Sequence, residues 1–233
     1  MSTALITGGS RGLGLALARE LSRCGWNLVI DARGKRDLEE AAAALGPGEV
    51  MAIPGDIADP AHRRELADAV DRMGSLDLLV NNASVLGPSP LPGLDRYPID
   101  ELERVLQINT IAPLALIQLL LPKVQAAVGT IVNITSDAAV EPYEGWGGYG
   151  SSKAALDQIS AILGAEQSGI RVYAFDPGDM RTAMHQEAFP GEDISDRAEP
   201  ETVVPSLIHL VETAPPSGRY RASQLPVTTG ATS

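Results

Sequence analysis

Short apolar runs and longer amphipathic stretches alternate along the whole chain. Ala4–Thr7, Asn27–Ala32, Glu49–Ile53, Leu76–Asn81, Thr130–Ile134 and Arg171–Phe175 are brief segments rich in aliphatic or β-branched residues, and a weaker one lies near Arg219–Ala222. Several are continuously apolar rather than alternating, which predicts strands covered on both faces. Between them, helical spacing predicts helices from Gly12 to about Cys24, with Gly25 as a stop signal, and over Lys35–Leu45, Pro60–Met73, Ile99–Gln125, Tyr149–Gln167 and Pro200–Thr213. Strand–helix alternation implies parallel strands joined by right-handed crossovers. The predicted fold is a doubly wound, Rossmann-type α/β sheet of about seven parallel strands with helices on both faces.

Two segments break this rhythm. Ser84–Pro98 is rich in proline and glycine, and Ala183–Glu199 is polar and acidic. Each follows a strand, at the edge where open α/β sheets bind ligands. A surface loop is the plain reading of both; for 183–199 a lid over a substrate is the sharper expectation. Ile111–Leu121, inside the fourth predicted helix, is apolar nearly all round and should bury more than its sheet-facing side. It is too short to span a bilayer and contains Pro113.

Composition narrows the class without naming it. At 233 residues, 44% hydrophobic and 21% charged, the chain suits one globular domain over 1–233. A formal net charge of −12 aids solubility and argues against nucleic acid or an anionic membrane as partner. The single cysteine, Cys24, allows no intrachain disulfide, which fits a reducing, cytoplasmic setting. Its expected place is the inner face of the first helix. Apolar sequence begins at Ala4 with no basic segment before it, so no secretory signal is read. His62, His185 and His209 lack metal-ligand spacing, and no metal is expected.

The first strand runs into Thr7-Gly8-Gly9-Ser10-Arg11-Gly12-Leu13-Gly14. Glycines there permit a tight turn and close approach of backbone to a pyrophosphate, while the following helix aims free N–H groups at the anion. Strand, turn and helix at the chain start supply the context that a glycine-rich turn needs. Downstream, Ser136 follows the Thr130–Ile134 run. Tyr149 and Lys153, four residues apart, share one face of a helix. A free phenol has a pKa of about 10 and is a poor base at neutral pH; a nearby ammonium favours its ionised form.

These motifs, in this order, resemble the short-chain dehydrogenase/reductase family over roughly residues 3–222. Gly55-Asp56-Ile57, Asn81-Asn82-Ala83 with Ser84 in place of a glycine, Asn109, and Asp176-Pro177-Gly178-Asp179-Met180-Arg181-Thr182 fall where the family keeps its signatures. The resemblance implies a catalytic tetrad of Asn109, Ser136, Tyr149 and Lys153. Ser136 would hold the substrate oxygen and Tyr149 would give or take its proton. Lys153 would lower the tyrosine pKa and bind the nicotinamide ribose, and Asn109 would hold a water linking Lys153 to solvent. The implied cofactor residues are Gly8, Ser10, Arg11, Gly12, Leu13, Gly14, Arg33, Asp56, Ile57, Asn82, Ala83, Tyr149, Lys153, Pro177, Gly178, Met180 and Thr182. Asp176 and Asp179 depart from the family pattern, which has asparagine and an apolar or aromatic residue there.

Counted from Gly14, Ala32 stands where NAD-using relatives place a ribose-binding acid. Arg33 and Arg11 could clamp a 2′-phosphate, so NADP(H) is favoured over NAD(H). Asp31 complicates this, but in a regular strand its side chain faces away unless a bulge turns it back. Asp137, Tyr143, Trp146 and Asp179, with Val140 and 183–199, should line the substrate pocket. Their acids suit a cationic or polyhydroxylated substrate, or are simply the solvated acids of an acidic protein. The implied activity is hydride transfer between NADP(H) and a small carbonyl or secondary alcohol. The competing readings are a dinucleotide-binding sensor or scaffold without turnover, and a sugar-nucleotide epimerase or dehydratase. The latter usually needs a larger C-terminal domain than remains here. Relatives commonly pair their fourth and fifth helices, so a homodimer or homotetramer is expected.

Overall fold

The computed structural model describes residues 1–226. Seven strands form one parallel sheet: β1 (Thr3–Ile6), β2 (Asn27–Ala32), β3 (Val50–Pro54), β4 (Leu78–Asn81), β5 (Thr130–Ile134), β6 (Arg171–Asp176) and β7 (Gly218–Arg221), in the order β3-β2-β1-β4-β5-β6-β7. The order reverses between β1 and β4, and the crevice at that reversal is where such sheets bind ligands.

Alternation along each strand divides the core in two. Ala4, Ile6, Leu28, Ile30, Leu78, Val80, Val132, Tyr173 and Phe175 face one layer, with Leu17 and Leu21 of α1 (Gly12–Arg23), Leu38 of α2 (Lys35–Ala43) and Leu207 and Leu210 of the last helix, Val204–Thr213. Leu5, Val29, Leu79, Ile131 and Val172 face the other. There they meet Leu66 and Val70 of α3 (Pro60–Met73) and residues of the helices that follow β4 and β5. Both faces are covered, so the central strands need no polar side, and their sequences show none. Helix α3 starts where its residues dictate: Asp59 Oδ1 accepts the Ala61 N–H at 2.8 Å, Pro60 opens the first turn, and Gly74 closes it in the left-handed region.

The fourth predicted helix is three pieces in one rod: α4 (Ile99–Leu106), a π turn (Gln107–Ile111) and α5 (Ala112–Ala126). By length and composition this 28-residue unit could cross a bilayer, more than the Ile111–Leu121 stretch alone suggests, but half of its most apolar window is buried in the fold. Leu116, Ile117, Leu120 and Val124 pack on the sheet, while Ile111 and Leu119 remain 49% and 44% exposed. The rod is therefore open on its outer side. The helix after β5 is α6 (Gly147–Glu166), two residues longer at its start than predicted.

Three further expectations are corrected. Cys24 is exposed, one residue past the end of α1 at Arg23. Segment 183–199, read as irregular, opens with α7 (Ala183–Ala188), capped by Thr182. The helix predicted from Pro200 is a 3₁₀ turn (Pro200–Thr202) leading into α8 (Val204–Thr213).

Val128, after α5, has φ +52° and is 75% exposed. A β-branched residue is strained in that region, whereas glycine is not. Val128→Gly is expected to stabilise the protein by roughly 0.5–1 kcal/mol, seen as a higher urea midpoint at unchanged m-value.

Candidate active site

The carboxyl ends of β1, β2, β4, β5 and β6 open onto one cavity of about 1120 Å³. The glycine turn forms one end of it. Gly8 sits at φ +68°, and a Cβ at Gly14, in the first turn of α1, would overlap the Gly8 carbonyl oxygen. The turn is pinned from β4: Asn82 Nδ2 donates to the carbonyls of Thr7 (2.9 Å) and Gly8 (3.2 Å), and Thr7 Oγ1 accepts the N–H groups of Asn82 and Ala83.

From β2, Asp31 completes the clamp. Its Oδ1 accepts the Gly8 N–H at 2.8 Å and its main-chain carbonyl accepts the Gly9 N–H at 2.8 Å. Oδ2 lies 3.0 Å from Nε2 of His62 on α3. Pairing is regular at Asp31↔Ile53 and Ala32↔Pro54, so no bulge turns the carboxylate outward. Burial pushes the Asp31 carboxyl up, against the hydrogen bonds from His62 and Gly8. At His62 burial opposes the charged ring, but Asp31, Glu65 and Asp59 outweigh it and raise its pKa. Sequence reading gave His62 no role. Its partner lies 31 positions away, so no local spacing could have signalled the pair.

Ser10, Arg11, Gly12, Leu13, Arg33, Asp56, Ile57, Asn82 and Ala83 all line the cavity. Gly14 does not; it acts through the backbone packing just described. Arg11 and Arg33 are exposed, and neither is in an ion pair among the described residues. Asp56 is turned to its own loop, where Oδ1 accepts the Ala58 N–H.

At the other end, Ser136, Tyr149, Lys153, Pro177, Gly178, Met180 and Thr182 share the wall with Asp137, Tyr143, Trp146 and Asp179. The Lys153 Nζ donates to the Ile134 carbonyl at 2.8 Å and lies 5.5 Å from the Tyr149 ring centre. Burial lowers the Lys153 pKa to about 8, with Asp157 opposing. Burial raises that of Tyr149, as do the charges of Asp176 and Asp137, while the Ser84 and Ser136 hydroxyls pull it down. Trp146 meets the Tyr149 ring edge-on at 5.8 Å and Phe189 at 6.0 Å, so it packs the wall.

Two tetrad residues differ in detail from expectation. Ser136 Oγ donates to Asp137 Oδ1 at 3.0 Å, and Asp137 Oδ2 accepts from Tyr143 at 3.0 Å. Asn109 lies in the π turn, behind the cavity wall. Its Oδ1 accepts from Ser84 Oγ and the Val85 N–H, and its Nδ2 donates to the Val85 carbonyl and Ser152 Oγ. All four side-chain positions are used. Ser84 was read only as a departure from pattern; here it joins Asn109 to the Tyr149 side.

Thr182 caps α7, with Oγ1 accepting the His185 N–H, so its own proton remains free to donate. Segment 183–199 contributes Met184, His185 and Phe189 to the cavity. It is tied at its base by the Met180↔Ala198 bridge and the Arg181–Glu199 ion pair.

Comparison with known proteins identifies the family. The family model described as short chain dehydrogenase matches residues 2–193. The chain belongs to the short-chain dehydrogenase family. Its relatives include the rhamnolipids biosynthesis 3-oxoacyl-[acyl-carrier-protein] reductase of Pseudomonas aeruginosa, 37% identical over 78% of this chain and 73% of that one. The benzil reductase of Bacillus subtilis is 31% identical over 94% of this chain and 97% of its own. Among solved structures, a short chain dehydrogenase of Escherichia coli CFT073 complexed with NADPH superimposes with a TM-score of 0.88, at 25% identity, over 95% of this chain and 96% of that one.

In this dehydrogenase the buried lysine carries an energetic cost. A fall from 10.5 to about 8 corresponds to about 3 kcal/mol at neutral pH. Because the folded pKa is the lower one, stability rises with pH between about 8 and 10.5, and the full penalty applies below about 8. Lys153→Met is expected to be more stable than the parent at pH 7, by up to about 3 kcal/mol in urea unfolding, with the gain shrinking above pH 8.

Proposed function

We propose that this dehydrogenase is an NADPH-dependent carbonyl reductase in which Tyr149 is the general acid. The observation that carries the reading is the shared cavity. The buried Tyr149 and Lys153 and the half-buried Ser136 open onto the same space as the glycine turn and the exposed Arg11 and Arg33. Bound NADPH would supply the hydride. The glycine turn, held by Asp31 and Asn82, presents the Gly8–Leu13 backbone to the pyrophosphate. Arg11 and Arg33 receive the 2′-phosphate, with no carboxylate of β2 competing, since Asp31 is engaged inward.

A substrate carbonyl between Ser136 and Tyr149 accepts a hydrogen bond from the serine once that hydroxyl turns from Asp137. Tyr149 then delivers its proton to the developing oxyanion. Its raised pKa keeps the phenol protonated at neutral pH, which suits reduction. Lys153, charged below about pH 8, makes loss of that proton possible. Segment 183–199 acts as a lid pinned at its base, with Met184, His185 and Phe189 over the substrate.

The test is NADPH consumption over ketones, aldehydes, quinones and 3-oxoacyl thioesters. Tyr149→Phe is expected to lose roughly 10²–10⁴-fold in kcat while NADPH still binds. A parent protein that binds NADPH and reduces nothing in the panel, or equal turnover by Tyr149→Phe, overturns the reading. Arg33→Ala is expected to weaken NADPH binding about 10- to 100-fold and NADH binding by much less, measured by cofactor fluorescence. Equal losses for both cofactors would remove Arg33 from the phosphate site.

A further inference from the structure

Position 176 holds an acid, and the structure buries it at 3% exposure. A buried carboxylate beside a catalytic phenol requires partners. Two arginines of β7 provide them. Arg219 Nη2 donates to Asp176 Oδ2 at 2.9 Å, and Arg221 Nε lies 3.4 Å from the same oxygen. Asp176 Oδ1 accepts the Gly178 N–H at 3.0 Å, inside the turn that carries Pro177. Arg219 reaches further. Nη2 also donates to the Ser136 carbonyl at 3.0 Å, and Nε donates to Asp157 Oδ2 at 2.9 Å, one helical turn beyond Lys153. One guanidinium thus joins the ends of β5 and β6 to the face of α6 that bears Tyr149 and Lys153.

We propose that Arg219 is a positioning residue of this active site: it fixes the main chain at Ser136 and screens the Asp176 carboxylate from Tyr149. The inference rests on Tyr149 being the acid–base group. The charged groups that bear on Tyr149 are Lys153 on its own helix, Asp137 in the turn after β5 and Asp176 at the end of β6. Asp137 is answered by hydrogen bonds from Ser136, Tyr143 and the Ala138 N–H. Asp176 is answered from β7. Without Arg219 it would keep the Gly178 N–H but only the longer Arg221 contact as a cationic partner, and its charge would oppose the phenolate. An asparagine at 176 would need no such screen, so the acid and the arginine form one functional pair.

The test reads Tyr149 ionisation directly, as the tyrosinate absorbance that each protein loses on Tyr149→Phe, with saturating NADP⁺ present. The pH dependence of benzil reduction is followed alongside. Arg219→Met is expected to move the ionisation up by about one pH unit and to lower kcat about tenfold, with the NADPH dissociation constant nearly unchanged. Arg219→Met with Asp176→Asn is expected to bring the ionisation back to the parent position. Arg219→Gln serves the same purpose if the methionine variant does not fold. An Arg219 variant that loses stability and rate while Tyr149 ionises where it did before overturns the proposal, as does a double variant that fails to restore it. Failure of the reductase reading would show separately, as turnover that survives Tyr149→Phe.

Discussion

The Lys153 ammonium, 2% exposed, rests on the last carbonyl of β5 through its 2.8 Å bond to Ile134. Burying a cation there is expensive, and a lysine pKa brought down to about 8 records the cost. Much of the surrounding architecture serves to keep that group in place. Helix α6 must enter with Gly148 and Gly150 pressed against neighbouring residues, because a Cβ at either would overlap Tyr97 or the Ala138 carbonyl. The π turn must place Asn109 and Thr110 against α6, where Asn109 bonds Ser152 Oγ and Thr110 bonds the Ser152 carbonyl. These contacts fix the register of the helix one residue before Lys153, and so fix Tyr149 one turn earlier.

The cofactor end obeys the same logic with an acid in place of the amine. Asp31 is a buried carboxyl whose two oxygens are taken by the Gly8 N–H and His62. Gly55 is a glycine because a Cβ there would collide with the His62 ring. A chain of contacts thus runs from α3 through β2 to the glycine turn. The turn is not held by its own sequence alone. Glycines allow its shape, and the carboxylate and the Asn82 amide select it from the many shapes that glycines allow.

This explains what was legible beforehand. Strands Asn27–Ala32 and Thr130–Ile134 carry consecutive aliphatic residues, Leu28-Val29-Ile30 and Ile131-Val132, that point to both faces at once, which suits a sheet covered on both sides. The glycine turn and Tyr149–Lys153 are local, so their spacing survives in the chain. The links that make them a site are not local. Asp31–His62 spans 31 positions, Asp176–Arg219 spans 43 and Ser136–Arg219 spans 83. The orientation of Asp31 followed from strand alternation, but its purpose did not. The π turn left no trace because it sits inside a continuous rod with no Gly or Pro break at Gln107–Ile111, and Cys24 was misplaced by extending the helix one residue past its end at Arg23.

On the proposed reading, the resting hydrogen bond between Ser136 and Asp137 shapes the chemistry as well as the geometry. A ground-state carbonyl oxygen is a weaker acceptor than a carboxylate, so it competes poorly for the serine proton. As hydride arrives and negative charge gathers on that oxygen, the competition reverses. Asp137 meanwhile keeps the hydrogen bonds from Tyr143 and the Ala138 N–H, so it is not stranded when the serine turns. Breaking the Ser136–Asp137 bond is thus a cost that the acid imposes on the transition state, and the stronger, charge-assisted bond from the serine to the developing oxyanion offsets it.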